Sequence, residues 1–442
     1  MSFGIIIFFL GHAWASGPCA LYPEILLGLR PLCDGWREWS CDPLDCVDSV
    51  SASIETKYGV IHCSMHADSL QVSVPDGTSM TLMNITYLGG SHCFSRKSLI
   101  SSQDTHEWAK KYRGWTHYGT HVVKPNPTIP GYEGINMTDV PTVYQLPGNG
   151  LFYMSFIGFD GVGYQSFLAE STNLIEWTNM RLAMGYGEQG AFDFGGVVLG
   201  AYLYESYGVD SQRVLKKVNG KFFSLYGAYA KRNAYEPDPG YQGLASSKDG
   251  LLWEREKDES ILSINGPGIV KDWEKGSIYQ PWLVEHDGQF YNFYNAKEMP
   301  QWIEQIGLAT SKDLQSWLRH ADNPILRVSN RRDNIINDGF DTQFKSDAKV
   351  FWDGDAAHWV MFYFGVGKGG AHIMVAFSKD LVHWVSDANP LYTAGANSSG
   401  LDKQHAHKIS LIWNRITEEW FMFYCAVGDA GRGIGLISSQ RC

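Results

Sequence analysis

Charge is scarce in this chain. Of its 442 residues, 19% are Asp, Glu, Lys or Arg, against roughly 25% in an average soluble protein. The balance is acidic, with a net charge of −11. Basic residues occur only in short groups such as Arg331-Arg332, so a nucleic-acid partner has no electrostatic footprint. No stretch approaches the ~18 apolar residues that span a bilayer. No helical-period segment separates the strand-like runs, which disfavours a parallel α/β fold. Glycine has no three-residue period and no heptad run occurs, excluding collagen and coiled coil. GxSxG, P-loop, HExxH and EF-hand motifs are absent, as is any paired CxxC spacing.

Glycine and aromatic residues are present together in quantity: 47 Gly, and 14% Phe, Trp and Tyr. Aromatics fill sheet faces and glycine makes tight turns, so the composition is β-rich. A disordered chain would be poor in aromatics and rich in charge. Residues 1–15, MSFGIIIFFLGHAWA, read as a signal peptide: a short apolar run precedes a small-x-small site at Ala13-Trp14-Ala15. The expected location is extracellular. Of the eight cysteines, Cys19, Cys33, Cys41, Cys46, Cys63 and Cys93 lie early, with Cys425 and Cys442 at the end. An oxidising compartment makes disulfides their expected use. Sequons at Asn84, Asn136 and Asn397 are candidate glycosylation acceptors.

A repeat organises most of the chain. Ser171-TNLIE-Trp177, Ser247-KDGLL-Trp253, Ser311-KDLQS-Trp317 and Ser378-KDLVH-Trp384 share a Ser-to-Trp spacing. Each follows a short apolar strand. Upstream, apolar and aromatic strands flank a turn, as at Asn219-Gly220, Asp287-Gly288 and Asp353-Gly354, which are hairpin markers. Five such copies occur, and the fifth ends at GIGLISSQ before any Trp. The expected fold is all-β: a five-bladed β-propeller over residues 106–442 behind a cysteine-rich, β-rich module at 16–105. The truncated fifth copy requires an outer strand from the N-terminal side, and Ser102-QDTHE-Trp108 has the matching spacing.

Inner strands of a propeller line its central channel. Aligning the five copies puts Val140-Pro141-Thr142, Ser211-Gln212-Arg213, Gln280-Pro281-Trp282, Asp347-Ala348-Lys349 and Ala406-His407-Lys408 in register. Asp139, Asp210 and Asp347 then converge, with Tyr279, Gln280, Arg213, Lys349, His405 and His407 as neighbours. Unpaired buried charge is costly, so such a ring points to a ligand, salt bridges or chemistry. Two carboxylates, one protonated and one ionised, are the requirement for cleaving a glycosidic bond. Further acids on connections are Asp193, Glu205, Glu236 and Glu274, and Glu274 directly precedes the third inner strand. Trp282 and Tyr279 are candidate sugar-stacking faces. His405-x-His407 with Asp402 is too weak a pattern to assign a metal, and the expected reaction uses no metal and no cofactor. Lys349, Lys408, Arg213 and Arg432 are the cations a phosphorolytic site would need.

The SKDLxxW strand ends and the DGQFYNFY hairpin resemble glycoside hydrolase families 32, 43 and 130. SDAKVFWDGDAAHWVMFY is similar to the Arg-Asp-Pro blade of the invertase-like family. Asn323 to Leu326 (NPIL) and WEKGSIYQPWLVEHDG resemble the mannoside phosphorylases. The resemblance implies a carbohydrate substrate, Asp347 as transition-state stabiliser and Asp139 as general base. The invertase-like nucleophile and acid positions fall on Gln280 and near His405, which lack a carboxylate, so Glu274 or Asp210 is the expected acid. A non-catalytic sugar-binding propeller, a protein-interaction propeller and a phosphorylase remain the alternatives.

Overall fold

The structure is a computed structural model. It describes residues 29–31, 38–40, 49–56, 58–66, 69–82, 85–95, 100, 102–266, 271–328 and 339–439. Two compact units are present, residues 1–108 with 377–386, and residues 109–376 with 387–442. The expected signal peptide, Asn84, Cys19, Cys33, Cys41, Cys46 and Cys442 lie outside the described residues.

The first unit contains a six-stranded sheet. Its long strand Ser69–Leu82 pairs antiparallel with Gly59–His66 and Ile85–Ser95 and parallel with Glu38–Ser40. Ile61, Leu70, Val72 and Met80 are buried on it. The segment expected to close the propeller, Ser102–Ala109, is instead an α-helix.

The second unit is β-propeller-like. Its inner strands are Met137–Gln145, Gly196–Tyr202, Ser277–His286, Phe344–Asp353 and His405–Asn414. Each pairs antiparallel with a following aromatic strand. The second repeat corrects the sequence alignment: its inner strand is the apolar GVVLGAY, and the polar Ser211-Gln212-Arg213 lies beyond it. Among the described residues the strands join into sheets of nine and twelve, and neither closes on itself. The ends of the repeat array still meet, because the Val143 N–H donates to Ser410 Oγ at 2.9 Å. The outer strand missing from the fifth repeat is Trp115–His117, antiparallel to Gly431–Ser439.

Two repeated devices explain the sequence pattern. In the SKDxxxW segments the Ser hydroxyl accepts the N–H of the third residue on, at 2.9 Å from Leu174, 2.8 Å from Gly250 and 3.0 Å from Leu381. The Asn or Asp side-chain oxygen caps the next two amides. Such side chain–backbone bonds fold a tight turn locally, and Leu174, Gly250, Leu314 and Leu381 all take positive φ there. Trp177, Trp253, Trp317 and Trp384 are buried.

The second device is a tyrosine on the second strand whose hydroxyl meets an acid preceding the inner strand. The pairs are Tyr226–Asp193, Tyr294–Glu274, Tyr363–Asp341 and Tyr424–Asp402, at 2.9 to 3.0 Å. In three repeats the ring lies over a glycine. A Cβ on Gly243, Gly307 or Gly435 would fall within 2.8 Å of it.

Candidate active site

Every inner strand carries a β-bulge at the same place. Pairing slips between Asp139 and Thr142, Leu199 and Ala201, Tyr279 and Pro281, Ser346 and Lys349, and His407 and Ser410. Four bulged residues take left-handed φ without being glycine: Val140 at 50°, Gln280 at 46°, Asp347 at 57° and Lys408 at 52°. Bulges re-aim side chains beside active sites, and strained backbone clusters there. Lys408 is therefore the fifth-repeat equivalent of Asp347 and Gln280, and Ala406 lies two residues short of that position.

A cavity of about 420 Å³ opens beside these bulges. Tyr279, Gln280, Ser346, His405, His407 and Lys408 reach it from three inner strands. Tyr235, Glu236 and Asp238 enter on the loop after strand Lys221–Tyr229. Lys297, Met299, Trp302 and Glu304 come from the third repeat's outer hairpin, and Arg432 from the fifth. The floor is an ion-pair network. Asp139, fully buried, accepts from Lys408 Nζ at 3.0 Å, Arg432 Nη1 at 2.8 Å and the Tyr235 hydroxyl at 3.0 Å. Its other oxygen takes the Val140 N–H at 2.7 Å. Burial pushes the Asp139 carboxyl up, but Lys408 and Arg432 outweigh it and hold the group well below the usual range. Lys408 also pairs with Glu236 Oε1 at 3.0 Å. Burial works against the charged Lys408, yet Asp139 and Glu236 hold its pKa well above the usual value.

Glu304 is the opposite case. It is 3% exposed and accepts from the Trp302 indole at 3.0 Å. Burial and the nearby Glu236 raise its pKa above the ordinary carboxyl value. Lys297 holds Asp238 through both carboxylate oxygens at 3.1 Å and lies 4.6 Å from the Trp302 ring centre. Trp302 is 47% exposed, with its ring tilted against Phe344.

Of the expected site residues, Tyr279, Gln280, His405 and His407 line this cavity, as do Glu236, one of the further acids, and Lys408 and Arg432, two of the candidate cations. Asp139 lies in its charge network without lining it. The others are elsewhere. Asp210 is exposed in a turn. Glu274 is buried in the core of the third repeat, ion-paired with Arg319 Nε at 2.9 Å and bonded to Tyr294, as one copy of the tyrosine–acid device. Arg213 staples its own loop, donating to Gly208 and Ser211 carbonyls at 2.7 and 3.0 Å with its guanidinium over Phe351. Asp347 pairs with Lys349 at 2.6 Å, and neither lines the cavity. The Trp282 ring packs on Phe351 while its indole N–H donates to the Val350 carbonyl at 3.1 Å. Asn397, expected as a glycan acceptor, is buried and donates to the Tyr118 carbonyl. Cys425 is a buried free thiol, not half of a disulfide.

Asp139, His407 and Cys425 place ligand atoms within 4.8 Å of one another. Lys408 and Arg432 already supply the positive charge Asp139 takes, so the set is balanced without a cation. Burial holds His407 well below its ordinary pKa, hence neutral. Asp402, the third member of the weak metal pattern, accepts two tyrosine hydroxyls instead.

Glu304, Trp302, Lys297 and Tyr235 were missed in the sequence. A signal existed in loop length. Most connections between second and third strands run two to four residues, whereas residues 230–239 form a longer one, which carries Tyr235. Lys297, Trp302 and Glu304 lie on or beside an ordinary hairpin and left no such mark.

Residues 28–85 match the model of the bacterial alpha-L-rhamnosidase C-terminal domain. No curated protein matches the chain. Among solved structures, one described as a complex of BT0996 with RGII is similar at 23% identity, over 77% of this chain and 96% of that one, with a TM-score of 0.64. A second, described as a glycoside hydrolase, is 22% identical over 78% and 96%, at 0.63. A third belongs to work on the GH130 family of mannoside phosphorylases, which "contains glycoside hydrolases that target beta-1,2 mannosidic linkages in Candida mannan". It is 14% identical over 74% and 93%, at 0.51. The chain thus has the fold of solved glycoside hydrolases, as the repeat motifs imply.

Proposed function

We propose that this chain is a secreted glycoside hydrolase whose five repeats form a five-bladed β-propeller around the cavity. The observation that carries the reading is Glu304: a buried carboxyl with a raised pKa, beside a second carboxylate, Glu236, in one cavity. Glycosidic cleavage needs one carboxylic acid to protonate the departing oxygen and one carboxylate on the other side of the bond. Glu304 is the acid. Glu236, held by Lys408, is the carboxylate that acts at the anomeric centre, directly or through water. Asp139 stays ionised beneath them and fixes Lys408 and Arg432. That anchoring role replaces the base role expected for it, because both its oxygens are engaged. Trp302, partly exposed in the cavity lining, offers its ring to the apolar face of a sugar.

Hydrolysis is favoured over phosphorolysis by charge. Lys297, Lys408 and Arg432 each already face a carboxylate, so no spare cation awaits phosphate among the described residues of the cavity. The test is a panel of plant, fungal and bacterial glycans incubated with the wild type and with Glu304→Gln, followed by product analysis. Wild type should release sugar without added phosphate, and the variant should lose at least about a hundredfold in kcat/KM. Undiminished release by Glu304→Gln would overturn the assignment.

A further inference from the structure

Resting on that reading, the inference concerns which sugar the cavity takes. Asn295, Tyr279 and Ser346 line it and are 0%, 4% and 1% exposed. Tyr279 and Asn295 are direct cross-strand partners. Among the described residues, both amide atoms of Asn295, the Tyr279 hydroxyl and the Ser346 hydroxyl have no hydrogen-bond partner. The two hydroxyls face the Glu304 carboxyl, but stand outside bonding geometry with it. Buried polar atoms are nearly always satisfied, and each left unmade costs on the order of 1–3 kcal/mol. Four in one wall of one cavity are a binding surface awaiting its donors and acceptors.

The chemistry of the wall identifies its ligand. Asn295 offers an acceptor and a donor side by side, which matches two adjacent hydroxyls. Tyr279 and Ser346 each give or take one more hydrogen bond. None of the four atoms is charged. The nearby cations Lys297, Lys408 and Arg432 are each engaged by Asp238, Glu236 or Asp139, whereas Glu304 and Glu236 present oxygen. An anionic sugar would meet carboxylates here without a free counter-charge. We infer that this wall reads vicinal hydroxyls of a neutral sugar and discriminates against the corresponding uronic acid.

The experiment uses Glu304→Gln of the full chain, which retains the wall. Its binding to galactose, glucose, mannose, arabinose and rhamnose is measured by calorimetry, with galacturonic and glucuronic acid as charged counterparts. At least one neutral sugar should bind at least about tenfold more tightly than the uronic acids. Adding Asn295→Ala or Ser346→Ala should weaken that binding about tenfold. Thermal midpoints should stay level or rise, because an unsatisfied buried group has been removed. Tighter binding of a uronic acid, or unchanged affinity in both wall variants, would overturn the inference while leaving a catalytic wild type standing; the wall atoms are then satisfied by water alone. A wild type that turns over no glycan, with a Glu304→Gln variant that binds no sugar, would defeat the hydrolase reading itself.

Discussion

Glu274 and Glu304 are both buried glutamates of the third repeat, and their surroundings give them opposite work. Glu274 is paired with Arg319 and Tyr294 inside the apolar core. Removing one member of a buried ion pair strands the other, at about 3–5 kcal/mol. Glu274→Gln should therefore lower the unfolding midpoint sharply in a denaturant titration, with kcat/KM per folded molecule unchanged. Glu304 has no cationic partner among the described residues and its pKa is raised. As pH climbs above the carboxyl's unfolded value, the unfolded chain loses the proton first, so this group progressively destabilises the fold until the folded pKa is passed. Glu304→Gln removes that loss, and should be as stable as wild type at about pH 5 and more stable at about pH 8. A lower midpoint at the higher pH would show that the carboxylate is structural.

At the scale of elements, the bulge and the tyrosine-over-glycine contact explain what the sequence made legible. The Gly-Leu pairs of QGLAS, IGLAT and GIGLIS recur because a tyrosine ring of the neighbouring strand lies on the glycine. A Cβ on Gly307 would fall 2.6 Å from Trp273 and 2.8 Å from Tyr294. Gly307→Ala should cost about 1–3 kcal/mol by overpacking, read as a shifted denaturation midpoint with an unchanged slope. The SKDxxxW turn was legible for the same reason: its bonds are local, within a few residues. The inner-strand register was not. A bulge inserts one residue or two without leaving a mark in apolar alternation, so aligning the copies on their inner strands put Ala406 where Lys408 belongs. The second repeat misled further, because its true inner strand has no charged residue to notice. Asp210 and Arg213 were promoted in its place. Trp282 and Glu274 looked functional because aromatic and acidic residues serve this fold's packing as often as its chemistry.

At the scale of the whole molecule, the cavity belongs to no single repeat. Asp139 comes from the first, Glu236 from the second, Glu304 from the third, Ser346 from the fourth, and Lys408 with Arg432 from the fifth. Such long-range convergence leaves no spacing motif in the sequence, which is why Glu304 and Trp302 escaped notice while the repeat itself was plain. The low charge content sharpens the electrostatics. With few charged side chains in the chain, each cation at the cavity is matched to a carboxylate, and Glu304 alone lacks such a match among the acids described there. Its protonation therefore reports on the assembled site, and the most direct measurement is the pH dependence of kcat/KM on the glycan that the panel identifies. The account predicts a decline on the alkaline side, with an apparent pKa above the ordinary glutamate value, as the proton needed by the leaving oxygen is lost. Glu304→Gln should abolish that limb together with the activity. Activity that persists in Glu304→Gln with the same alkaline limb would contradict the account, because the proton would then come from another group.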